Sequence, residues 1–190
     1  MKSCIKKLCG LSLVCALALC LVACGGSKGE SSDSSSSAKT ASESQTVTFP
    51  VAYFNSTDSA ACISQLESAG CTDVKANGDG SYTATVSADA FNKITEDLYA
   101  QIFEAADTLE NDNDTYPDID SVEMNQDFSQ ITITLNTDQA SIEDTFAPAV
   151  VGVLAANYQQ ISGADAACHV ELIGKSGTVL NEYDYPVTSA

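Results

Sequence analysis

The stretch CTDVKANGDGSYTATVSADAFNKITEDLYAQIFEAADTL, residues 71–109, decides the fold. Its first half has a period of two. Thr72–Ala76 and Ser81–Val86 read as strands joined by Asn77-Gly78-Asp79-Gly80, whose residues accept the positive φ a tight turn demands. Ser87 then supplies a side-chain oxygen of the kind that caps a helix. Beyond it Phe91, Ile94, Leu98, Ile102, Ala105 and Leu109 recur at three- and four-residue steps, so the period changes to that of a helix with one buried stripe. A hairpin feeding an amphipathic helix is therefore the building unit.

The unit repeats on either side. Upstream, Thr46–Phe54 alternates through Val47, Phe49, Val51 and Tyr53, and Pro50 marks the strand as an edge or a bulge. Asp58–Ala69 carries Ile63 and Leu66 at helical spacing and stops at Gly70. Downstream, the polar run Asn111–Asp114 ends the long helix, and Asp120–Asn125 with Gln130–Asn136 forms a second strand pair. In that pair Ile131, Ile133 and Leu135 face one side while Thr132 and Thr134 face the other. A third helix is expected over 138–161, the most apolar of the three through Ile142, Phe146, Val150, Val153, Leu154 and Tyr158. Pro148 should either kink it or sit in the first turn of a restarted helix, and Gly163 lies beyond its end. Ala167–Ile173 and Thr178–Tyr185, turned at Gly174-Lys175-Ser176-Gly177, complete the chain.

The expected order is β-αββ-αββ-αββ. Val74-Lys75-Ala76, Val122-Glu123-Met124 and Val170-Glu171-Leu172 fall at corresponding places in the three αββ units, a weak internal repeat. Hairpins make antiparallel pairs, and apolar helix stripes need a sheet face to cover. The expectation is a single α+β domain over 46–190, with helices on one face of a mostly antiparallel sheet and a wet, Thr-rich opposite face.

Ahead of the domain the chain changes character. Lys2, Lys6 and Lys7 precede an almost wholly apolar run from Leu8 to Ala23, which reads as a secretory signal peptide over 1–23. The alternative, an uncleaved anchor helix, is disfavoured because the run falls short of the ~20 residues that span a bilayer, and Gly25-Gly26 closes it. Leu21-Val22-Ala23-Cys24 resembles a bacterial lipobox, in which the cysteine receives diacylglycerol and becomes the mature N-terminus. Leu17-Ala18-Leu19-Cys20 is a poorer match, since Leu19 is bulky where a small residue is preferred. The resemblance implies lipid on Cys24 and a place on the outer face of the cytoplasmic membrane. Each buried CH₂ contributes ~0.8 kcal/mol, so two or more acyl chains anchor stably where one binds reversibly. Residues 24–45, with the run Ser34-Ser35-Ser36-Ser37, have little to bury and read as a flexible tether.

Composition restricts the partners. The chain has no Arg and a formal charge of −18; from residue 46 onward 23 acidic residues face only Lys75, Lys93 and Lys175, giving −20. Three scattered lysines cannot neutralise a phosphate backbone, which excludes nucleic acid, and direct docking on anionic headgroups is repulsive. Such a surface is first of all solvated and resistant to aggregation.

The candidate chemistry is thin. Cys62, Cys71 and Cys168 remain after the signal, in an exported chain where disulfides are permitted. Cys62 and Cys71, on one helix and its end, would stand about 13 Å apart, too far to bridge. Cys168 shares the parity of Val170 and Leu172 and should face the core, and Cys71 opens a strand, so Cys71–Cys168 is the best pair; three buried free thiols is the better-supported reading. Cys168 and His169 are neighbours on a strand and point to opposite faces, so they cannot form a catalytic Cys–His pair. His169 is the only His, which argues against a His-based zinc site or a Ser–His–Asp triad, and no metal or cofactor is expected. Asp112, Asp114, Asp118 and Asp120 crowd one loop, but the EF-hand spacing fails at Tyr116 and Pro117, leaving calcium in the 110–120 loop an open question.

Two late segments, Ser121-Val122-Glu123-Met124 before a strand pair and Ser176-Gly177-Thr178-Val179-Leu180 near the end, sit within a helix–hairpin–helix–hairpin stretch from Leu98 to Tyr185. With the lipobox and the Ser-rich tether, this layout resembles small lipoproteins of Gram-positive bacteria that have a C-terminal α+β domain and no assigned biochemical role. The resemblance implies a location rather than an activity. The expected function is a membrane-tethered binding or interaction module without catalysis, its partner a protein, peptide or glycan. The alternatives are a cell-envelope hydrolase using paired carboxylates, and an accessory subunit of an envelope complex.

Overall fold

The structure, a computed structural model, describes residues 43–187. Its elements follow the expected order: β1 (Ser44–Phe49), α1 (Ser59–Ser68), β2 (Cys71–Ala76), β3 (Tyr82–Ser87), α2 (Ala88–Asn111), β4 (Ile119–Met124), β5 (Gln130–Leu135), α3 (Ala147–Ser162), β6 (Cys168–Ile173) and β7 (Val179–Tyr185). β1 begins inside the stretch 24–45 read as tether. It stops at Pro50, after which Val51–Tyr53 form a 3-10 turn. Proline has no N–H to give a ladder, so the strand closes where the ring enters.

The α+β class holds, with mostly antiparallel pairing, but the strands form two sheets rather than one. The first has the order β1-β3-β2 and is antiparallel throughout. The second has the order β4-β5-β6-β7: two antiparallel hairpins, joined by parallel pairing of β5 with β6 through the α3 crossover. The 24-residue α2 connects the two sheets. A helix of that length advances the chain about 36 Å.

Each sheet has its own core on its helix-covered side. Val47, Phe49, Cys71, Tyr82, Ala84 and Val86 of the first sheet meet Cys62 and Leu66 of α1, Ile94 and Leu98 of α2, and Ile161. Ile131, Ile133, Leu135, Val170, Leu172 and Tyr185 of the second meet Ile102, Ala106 and Leu109 of α2 and Ala147, Val151 and Ala155 of α3. The single stripe of α2 thus serves both cores, its N-terminal half one and its C-terminal half the other. Ser87 caps it as expected, accepting from the Ala90 N–H at 3.3 Å. The faces away from the helices carry Thr46, Thr48, Thr83 and Thr85 on one sheet and Thr132 and Thr134 on the other, opposite in parity to the buried residues of the same strands.

The third helix departs most from expectation. It starts at Ala147 with Pro148 in its first turn, so the restart is the form adopted; a 3-10 turn at Asp144–Phe146 precedes it. Ser141 and Asp144 cap that turn reciprocally, Ser141 N–H to Asp144 Oδ2 at 2.8 Å and Asp144 N–H to Ser141 Oγ at 3.1 Å. Of the large apolar residues that mark this segment in the sequence, Val153, Leu154 and Tyr158 are half-buried against the core, but the other three are not. Ile142 is 74 % exposed, Phe146 63 % and Val150 36 %, while small residues such as Ala147, Gly152 and Ala155 face the sheet. Small side chains let α3 lie close against the strands. A Cβ at Gly152 would fall 2.3 Å from the ring of Tyr185. The helix ends at Gly163, in the left-handed conformation at φ +86°.

Candidate functional site

On β6 the side chains alternate between core and open face. Cys168, Val170 and Leu172 are buried; His169 and Glu171 point the other way. Cys168 and His169 therefore diverge as expected. Burial, with Asp184 adding to it, pushes the Cys168 thiol up to about 11, so it stays protonated at neutral pH and is not a nucleophile.

The open face of the β6–β7 hairpin gathers four polar side chains. His169 lies opposite Asp184 and Glu171 opposite Glu182. His169 Nδ1 donates to Asp184 Oδ1 at 2.8 Å, and this bond raises the imidazole above the usual histidine range. The other ring nitrogen, Nε2, stands 3.8 Å from Glu171 Oε1. One ligating atom from each of His169, Glu171 and Glu182 falls within 4.8 Å of the other two. One histidine enters this group because Glu171 shares its face of β6 and Glu182 is brought opposite by β7. A depression of about 290 Å³ lies alongside, bordered by His169, Asp184, Tyr185 and Pro186.

The register that assembles these residues depends on a bulge. Ile173 pairs with Val179, but one step along Leu172 pairs with Asn181. Without that extra residue Glu171 would face Asn181 and His169 would face Tyr183, and Glu182 and Asp184 would take core positions. The shared parity of His169 and Glu171 was readable in the sequence; the partners on β7 were not.

Other expected sites resolve as follows. Cys24, the signal peptide (1–23) and all but the last residues of the 24–45 tether lie outside the described residues. Cys62, Cys71 and Cys168 are buried free thiols. The Cys71–Cys168 bridge is not formed, because Cys71 belongs to the core of the first sheet and Cys168 to that of the second. In the acidic loop Asp112 bonds to the loop's own backbone. Asp112 Oδ1 accepts from the Thr115 N–H at 3.3 Å, and bonding to Thr115 holds its carboxyl below the usual range. Glu110, at the end of α2, accepts from the Val122 N–H at 2.7 Å. Among the described residues the loop brings no three metal-capable side chains together; His169, Glu171 and Glu182 form the group that does so.

Ile142, Phe146 and Val150 follow one another at four-residue steps through the 3-10 turn and the start of α3, leaving an apolar strip in contact with solvent. No described helix is long and apolar enough to cross a membrane. No family model, curated protein or solved structure matches the chain.

Proposed function

We propose that the protein is a lipid-anchored extracytoplasmic protein whose acidic α+β domain is displayed to bind a partner rather than to catalyse a reaction. One observation carries the anchoring: Leu21-Val22-Ala23-Cys24 stands at the end of an apolar run with a basic start, and a Ser-rich stretch follows. Acyl chains on Cys24 would hold the body at the bilayer, and the tether would lift a strongly negative domain away from anionic headgroups.

The domain supports the binding half of the reading in two ways. The paired carboxylates Glu171 and Glu182 sit on an open sheet face, and the depression beside His169, about 290 Å³, is open to solvent. The strip of Ile142, Phe146 and Val150 is the kind of exposed apolar surface that marks a contact with protein or peptide. Radiolabelled palmitate fed to producing cells tests the anchoring. The wild-type chain is expected to take up label and fractionate with membranes, and Cys24→Ser to lose both. An unlabelled wild type, or a Cys24→Ser variant that stays with membranes, overturns it.

A further inference from the structure

We propose that the open face of the β6–β7 hairpin binds a divalent transition metal, best matched by Zn²⁺, through His169 Nε2 and the carboxylates of Glu171 and Glu182, with Asp184 positioning the imidazole. The proposal is independent of acylation at Cys24, since it concerns only side chains of the folded domain.

The tautomer comes first. Asp184 accepts a hydrogen bond from Nδ1–H at 2.8 Å, so in the neutral ring Nε2 carries a lone pair. A carboxylate behind the imidazole is the arrangement that orients metal-binding histidines and makes them better donors. Nε2 stands 3.8 Å from Glu171 Oε1. That distance is too long for a hydrogen bond. It suits two atoms flanking one ion, because ligands at about 2.0–2.1 Å from a tetrahedral zinc stand about 3.3 Å apart. One ligating atom of each of the three residues already lies within 4.8 Å of the other two.

Charge points the same way. Glu171 and Glu182 are directly opposed across the hairpin, and like charges so placed repel. Neither makes an ion pair with a lysine among the described residues; Lys93, the one lysine so paired there, is bound to Asp97 at 2.7 Å on α2. A cation between the two glutamates would relieve their repulsion. The donor set selects its class. One imidazole and two carboxylates, with positions left for water, fit zinc and its transition-metal neighbours. Calcium, which takes 6–8 oxygens, is poorly served by three donors of which one is nitrogen.

His169 is the only histidine in the chain, so its ring proton signals report on this site alone. Zn²⁺ titrated into the full chain should shift those signals saturably, with one ion per chain at this site, and a 100-fold excess of Ca²⁺ should not reverse the shift. Glu182→Gln should weaken binding at least 10-fold. Asp184→Asn, which removes only the support behind the ring, should weaken it 10- to 100-fold. Glu104→Gln removes an exposed acid on α2 away from the site and should change affinity less than 2-fold. All of these are surface substitutions, and circular dichroism checks that each variant is folded. Ring signals that stay put at saturating Zn²⁺ overturn the proposal, as does displacement by equimolar Ca²⁺. Equal losses in Glu182→Gln and Glu104→Gln would mean general attraction to an acidic surface, and would overturn it too.

Discussion

Gly152 shows how much one missing methyl group can decide. It lies in α3 where the Tyr185 ring presses against the helix, and a Cβ there would stand 2.3 Å from one ring carbon and 2.5 Å from another. Tyr185 is buried, so its ring has little room to retreat. Propensity alone says that Gly152→Ala should stabilise the helix by about 1 kcal/mol. Overpacking a filled core costs about 1–3 kcal/mol, and here that term should win. Gly152→Ala is therefore expected to lower stability by about 1–2 kcal/mol in urea unfolding. In a Tyr185→Ala background the same change should become neutral or favourable. A destabilisation that persists without the ring would mean the glycine is needed for some other reason.

At the scale of the element, α2 is the decisive piece. Ile94 and Leu98 pack into the core of the first sheet, and Ile102, Ala106 and Leu109 into that of the second. Ala100 lies between the two groups and is itself exposed, so a change there acts on the backbone without removing packing. Proline at an interior position removes one hydrogen bond, clashes with the carbonyl four residues earlier and costs about 3 kcal/mol or more; glycine costs about 1. Ala100→Pro should destabilise the protein by at least about 3 kcal/mol and Ala100→Gly by about 1, as read from denaturant midpoints. Equal, small effects of the two would show that the helix is not needed as one straight rod. Electrostatic support for α2 is slight: the Lys93–Asp97 pair is exposed to solvent, where an ion pair contributes little.

For the whole molecule, the question is whether two cores make two folding units. α2 contributes to both, and Tyr158 of α3 packs against both clusters. Neither core is complete without a helix that the other also holds, so the pair should unfold as one. The buried thiols provide separate probes: Cys62 and Cys71 report on the first core and Cys168 on the second. Labelled across a urea series and mapped by mass spectrometry, Cys71 and Cys168 should become reactive at the same midpoint. Well-separated midpoints would show that the two halves melt independently.

The sequence by itself determined what depends on local periodicity. Alternation on a strand and three- to four-residue steps on a helix are properties of neighbouring residues, so element order, the α+β class and the stripe of α2 could be read directly. The divergence of Cys168 and His169 followed from the same geometry. Pairing between distant strands has no such local signature. Nothing near β5 or β6 announces that they lie side by side and parallel, or that the strands divide into two sheets around the span of α2. The bulk of Ile142, Phe146 and Val150 gave no hint that smaller neighbours would be buried instead, because close approach to the sheet favours alanine and glycine. The site on β6 and β7 was half visible, since His169 and Glu171 share a parity. Whether Glu182 and Asp184 met them or turned inward depended on a one-residue bulge, and a slip of one residue moves every side chain to the other face.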